Sequence, residues 1–141
     1  MKDDERKEDW HVLSLQKLAD ALRDGLSKSR MLGSPMRIRV FVAGRSRLED
    51  QGSLALAPVF GEMGSLQCLV IPQNGIYPRG VAAWSLAIGR CAAMRFVDLS
   101  DNTFTLKGCR PMAQVTQPII CILPSLSSTA SFVGSDGAKE S

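Results

Sequence analysis

The apolar residues of this 141-residue chain change their spacing once, near Met36, and that change divides the sequence into a leading helix and a β region. Before it, His11, Leu15, Leu18, Leu22 and Leu26 recur at intervals of three and four, with Val12 and Ala19 beside the same stripe. That spacing predicts an amphipathic helix over residues 9–28. Gly33 and Pro35 follow where a helix would stop. After it, Met36, Ile38, Val40 and Val42 alternate with Arg37, Arg39 and Phe41, so a half-buried strand is expected, the first set inward and the second outward.

Further short strands are expected downstream. The runs 54–60 and 66–71 are apolar and are divided by Gly61 and Gly64, and Pro58 assigns the first of them to a sheet edge or a bulge. Residues 72–80, with Asn74-Gly75 and Pro78, read as a loop. Residues 81–88 fit two patterns, because Ala82, Trp84, Leu86 and Ile88 alternate while Val81, Trp84, Ile88 and Ala92 form a helical stripe. The bounding glycines and the Gly89-Arg90 pair favour a strand. A hairpin over 96–107, turning at Asp101-Asn102, sets Leu99 opposite Phe104 and Val97 opposite Leu106 on one face. Residues 118–123 read as a last buried strand, and no internal repeat is visible.

The expected fold is therefore mainly β: a small antiparallel barrel or sandwich of roughly five to seven strands with one N-terminal amphipathic helix. If 81–93 is helical, the class becomes α+β. The expected organisation is a charged flexible N-terminus at 1–8, a single globular domain at 9–123 (helix 9–28, β body 36–123) and a disordered Ser-rich tail at 124–141.

Composition narrows the function classes. Apolar residues make up 45% of the chain, yet no run approaches the ~20 residues of a membrane span. The first residues are charged and include acids, unlike a secretory or mitochondrial leader, so a cytoplasmic or nuclear location is expected. Cys68, Cys91, Cys109 and Cys121 are too far apart to supply the close ligand pairs of a zinc site and read as free, buried thiols. Gly61-Glu62-Met63-Gly64 lacks the Lys-Ser/Thr of a phosphate loop. The single histidine, His11, has no nucleophile near it in sequence. No catalytic residue, metal or cofactor is assigned, and a non-enzymatic protein is expected.

The net charge of +3 sits mainly on the β region and is carried there by arginine. Arg37, Arg39 and Phe41 on one strand face, continued by Arg45 and Arg47, form a candidate surface for RNA or another polyanion, with guanidinium groups for phosphates and a ring for stacking. Trp10 and Leu13 lie off the helix stripe and form a candidate interaction surface, which makes self-association, as a homodimer, the second expectation. The alternative function is a structural or protein-interaction module, and the use of Ser, Leu and Arg resembles that of viral accessory or matrix-type proteins.

Overall fold

The computed structural model describes residues 2–103, 110, 118–122 and 129–132, without the side chains of 2–10 and 129–132. Helices and strands alternate along it: α1 (Lys2–Met31), β1 (Val40–Val42), α2 (Glu49–Met63), β2 (Cys68–Val70), α3 (Pro78–Arg90), β3 (Phe96–Asp98), β4 (Ile119–Ile122) and β5 (Thr129–Phe132). The strands form one sheet in sequence order. β1 to β4 are parallel and β5 runs antiparallel to β4.

The antiparallel barrel or sandwich is thereby overturned. Residues 54–60 lie in α2, and 81–88 lie in α3, because both runs place their large side chains at helical spacing. Leu56, Val59 and Phe60 are buried on α2, and Val81, Trp84 and Ile88 on α3. Parallel neighbours need a crossover between them, and these two helices supply it, which makes the class α/β and not the α+β alternative. Pro58 marks no sheet edge; its exposed ring sits on the outer side of α2. Pro78 starts α3, where its fixed φ and missing N–H cost nothing. β3 pairs with β2 and β4, both parallel to it, so it is not the first arm of a hairpin; the expected second arm lies outside the described residues.

Register reveals a repeat. Val40 stands beside Cys68 and Cys68 beside Phe96, a step of 28 residues each time. Leu66, Leu69, Ile71 and Asn74 have the same relative positions as Met94, Val97, Leu99 and Asn102 in the next unit, and all of these eight are buried, as is Ile76. The spacing, with an asparagine after three apolar positions, matches the leucine-rich-repeat pattern. Each unit leaves one apolar face uncovered until its neighbour stacks on it, so the core is continuous across units.

The buried asparagines hold the turns. Asn74 accepts the Ser46 and Leu48 N–H groups at its Oδ1 and donates from Nδ2 to the Ala43 and Pro72 carbonyls. Asn102 does the same one unit later, accepting from Asn74 and Ile76 and donating to Ile71, Leu99 and Ser100. Backbone groups that a buried turn would otherwise orphan are thus satisfied.

The expected helix 9–28 lies within α1. Ala19 and Leu26 are buried and Leu15 and Leu22 pack on the core cluster, so most of the stripe read from sequence is covered, while Leu18, counted in it, is 43% exposed. The chain comes close to α2 at Gly52, where a Cβ would stand 2.7 Å from Leu15 Cδ1. Arg30, in the last turn of α1, donates to the Glu62 carboxylate at 2.7 Å and to the Glu62 carbonyl at 3.1 Å. A cation is thereby set at the C-terminal end of α2, where the helix dipole favours one.

Candidate functional site

The strand that carries the candidate arginines has the opposite phase from the one its alternation suggests. β1 is three residues long, and Val40 and Val42 are its outward side chains, 58% and 63% exposed. Phe41 points to the covered face, its ring 4.7 Å from Phe60 and 6.0 Å from Trp84, centroid to centroid. Ile38 and Ala43 pack on the same side. The spacing from Ile38 to Phe41 is three, so the period-two reading slips there. Arg37 and Arg39 are exposed, but Phe41 does not share their surface. A polyanion face made of Arg37, Arg39 and Phe41 needs all three on one side, and the structure separates them.

Arg45 and Arg47 belong to a different place, the turns that follow the carboxyl ends of the parallel strands. Three residues with left-handed backbone occupy equivalent positions there, 28 residues apart: Arg45 (φ 52°), Gln73 (φ 51°) and Asp101 (φ 57°). Their side chains form a row. The Arg45 Nε donates to Gln73 Oε1, and Gln73 Nε2 donates to Asp101 Oδ2 at 2.9 Å. Their backbones are linked as well, Arg45 N–H to the Pro72 carbonyl at 3.1 Å and Gln73 N–H to the Ser100 carbonyl at 3.0 Å. A left-handed non-glycine residue costs about 1–2 kcal/mol, so three of them persist because the stacked units fix the turn. The row presents a guanidinium at one end and a carboxylate at the other, on exposed residues.

A cleft of about 370 Å³ opens beside this row, between α1 and the turns, with His11, Arg47, Glu49, Asp50 and Tyr77 in its lining. His11 Nε2 is 2.8 Å from the Arg47 carbonyl, and Arg47 lies 3.7 Å from Glu49. Asp50 Oδ1 accepts the Tyr77 and Gly80 N–H groups at 2.8 and 3.0 Å, which caps the start of α3. Arg47 and Glu49 also have positive φ, so five non-glycine residues in these three turns are held in the left-handed region. Backbone strain of this kind concentrates at functional sites. In open α/β sheets, moreover, ligands bind beyond the carboxyl ends of the strands.

Among the described residues no group of histidines, cysteines and carboxylates could hold a metal ion, and no helix is long and apolar enough to cross a membrane. Cys68 is half-buried on the open sheet face, and Cys91 and Cys121 are buried. Burial pushes the Cys91 thiol up; Cys109 lies outside the described residues. The arrangement at the strand ends suits recognition of another surface by fixed hydrogen-bonding groups. Sequence reading found Arg45 and Arg47 by their charge but missed Gln73, Asp101 and Asp50. The 28-residue step was the signal that joins the first two of these to Arg45. Leu13 is 52% exposed, as expected of a residue off the stripe; the side chain of Trp10 lies outside the description.

No family model matches the chain. It is 46% identical over 59 residues to Ran GTPase-activating protein 1 of Xenopus laevis, covering 42% of this chain and 10% of that protein. Over 66 residues it is 38% identical to Ran GTPase-activating protein of Drosophila melanogaster, covering 47% of this chain and 11% of that protein. Over 82 residues it is 32% identical to Ran GTPase-activating protein 1 of Saccharomyces cerevisiae, covering 57% and 20%. The chain thus spans about a tenth of the length of the frog and fly relatives. These likenesses overturn the expectation of an RNA- or polyanion-binding protein and that of a viral accessory or matrix-type protein, since the relatives are named as activators of a GTPase and come from animals and a yeast.

Proposed function

We propose that this chain is a GTPase-recognition segment that binds a Ran-type GTPase and regulates its GTP hydrolysis, with the row Arg45, Gln73, Asp101 as the contact surface. The observation that carries the reading is the sequence likeness to Ran GTPase-activating proteins of frog, fly and yeast. The structure supports it at one point. Side chains from three successive units stand at one end of the sheet, tied to one another and exposed, so their geometry is set before a partner arrives. Preorganised polar groups lose little freedom on binding and discriminate well between partners. Arg47, in the same group of turns, extends the contact surface toward the cleft.

The test is calorimetric titration of the full chain against Ran loaded with a non-hydrolysable GTP analogue and against the GDP form, followed by single-turnover hydrolysis. Tighter binding to the triphosphate form and a change in hydrolysis rate are expected, both lost with Arg45→Ala. A folded chain that binds neither nucleotide form at about 100 µM, an affinity weaker than about 5 kcal/mol, would remove the proposal.

A further inference from the structure

Away from the strand ends, on the outer side of the two crossover helices, α2 and α3 leave a groove of about 370 Å³. One face of α2 (Leu54, Pro58, Gly61) and one face of α3 (Arg79, Ala83, Leu86, Arg90) line it. Leu54 and Leu86 are 41% and 58% exposed, so the trough is apolar and open to solvent. The helices approach closely beneath it, since a Cβ on Gly61 would stand 3.1 Å from Ala87 Cα. Pro58 has no N–H to give the Leu54 carbonyl, which leaves that acceptor short of its usual helical donor.

Both ends of the trough are basic. Arg79 lies in the first turn of α3 and Arg90 ends the helix, about 16 Å away at ~1.5 Å per residue. Neither has an acidic partner among the described residues, and the nearby acids are engaged elsewhere. Glu62 is held by Arg30 on the other flank of α2. Asp50 is taken up by the N–H groups of Tyr77 and Gly80. An apolar strip about three helical turns long, with a guanidinium at each end that meets no carboxylate among the described residues, has a complement of definite form.

We propose that this groove docks a short amphipathic helix of a partner protein, one that carries two aliphatic side chains four residues apart on one face and carboxylates in its first and last turns. The aliphatic side chains lie between Leu54, Pro58, Ala83 and Leu86, and the carboxylates pair with Arg79 and Arg90. Laying an apolar helix face into a groove, with flanking charges setting register, is an established mode of peptide recognition. The groove lies between the two crossover helices, whereas the GTPase-contact row lies in the turns at the strand ends and shares no residue with it, so this docking is independent of the proposed function.

The probe is a fluorescein-labelled helical peptide of about 15 residues with that pattern, titrated by anisotropy into the full chain. The controls carry Lys for Glu, or Ser for the two Leu. Saturable binding of the acidic peptide is expected, at least about tenfold tighter than either control. The Arg79→Glu, Arg90→Glu double variant, both sites being exposed, is expected to reverse the preference and favour the Lys peptide by a similar factor. Equal binding of acidic and basic peptides, no reversal in a folded double variant, or no saturation below about 1 mM would overturn the proposal. So would salt-sensitive self-association of the chain that the double variant abolishes, because the groove would then hold a second copy.

Discussion

Asn102 Oδ1 accepts the backbone N–H of Asn74 at 3.0 Å, so the buried amide of one unit holds the residue that carries the buried amide of the unit before it. The two side chains are therefore coupled, and a change at Asn102 weakens the turn that positions Asn74. Asn102→Leu strands the Asn74 and Ile76 N–H groups and the Ile71 and Leu99 carbonyls. A buried group left without a partner costs about 1–3 kcal/mol. A loss of at least about 3 kcal/mol is expected, read from the midpoint of urea unfolding followed by far-ultraviolet circular dichroism. An unchanged midpoint would mean that water satisfies the turn as well as the amide does.

Two glycines inside helices give opposite expectations. At Gly25 in α1 an added Cβ meets nothing closer than Met36 Sδ at 3.6 Å, an ordinary contact. Gly25→Ala is expected to raise stability by about 0.5–1 kcal/mol, through helix propensity and the smaller entropy of the unfolded chain. At Gly61 the added Cβ meets backbone, Ala87 Cα at 3.1 Å, and a backbone atom cannot step aside without moving its helix. Gly61→Ala is expected to lose about 1–3 kcal/mol despite the same gain in propensity. Denaturation midpoints of the two variants, measured side by side, check the pair.

Those same helices explain how much of the fold was legible. The α1 stripe was readable because one flank of that helix faces the core and the other faces solvent, which writes a clear 3.6 period. α2 and α3 are shorter and are packed between neighbours, so small residues such as Gly61 and Ala87 fill positions where a stripe would show large ones. The strands are only three residues long in β1, β2 and β3, too short to establish a period, and Val40 and Val42 are apolar on the open face. The alternation from Met36 onward thus holds as far as Arg39, with Ile38 inward and Arg37 and Arg39 exposed, and reverses at Val40, Phe41 and Val42. The repeat is faint in the sequence because two units alone show its asparagine; Ser46 stands at the equivalent position of the first. The turn expected at Asp101-Asn102 is present, with Asp101 at φ 57°, but Asn102 turns inward to hold the preceding unit instead of closing a hairpin.

The thiols separate by burial. Desolvation raises Cys91 above the ordinary thiol range of about 8.5, with its Sγ 3.8 Å from the Phe60 carbonyl. Cys68 is half-buried on the open sheet face. Native alkylation with iodoacetamide, mapped by peptide mass, is expected to label Cys68 well before Cys91. The raised group keeps its proton in the folded state while the unfolded thiol ionises. Its contribution to stability is therefore complete below the ordinary thiol pKa and is lost as pH climbs above it. Urea midpoints should fall from about pH 8 upward, with a shallower fall in Cys91→Ala; identical slopes would show that another group governs the alkaline limb.

Gln73 decides whether the strand-end row is a unit or three separate side chains. Its amide accepts from Arg45 and donates to Asp101, and among the described residues it makes no other side-chain bond. Gln73→Leu removes both links and leaves the charged ends in place. All three residues are exposed, so the loss in folding stability should stay below about 1 kcal/mol. If the row is what a Ran-type GTPase contacts, freeing Arg45 adds the cost of ordering it on binding, about 0.5–1.5 kcal/mol, and affinity should fall about three- to tenfold. Gln73→Glu tests the same geometry from the other side. It keeps the acceptor for Arg45 but sets a carboxylate against Asp101, so it should hold the guanidinium while driving Asp101 away. A GTPase that reads mainly the Arg45 end will bind this variant nearly as well as the parent chain, whereas one that reads the whole row will lose affinity with both substitutions. Equal affinity for the parent chain and both variants, measured by calorimetry with Ran in its triphosphate form, would move the contact surface away from these turns.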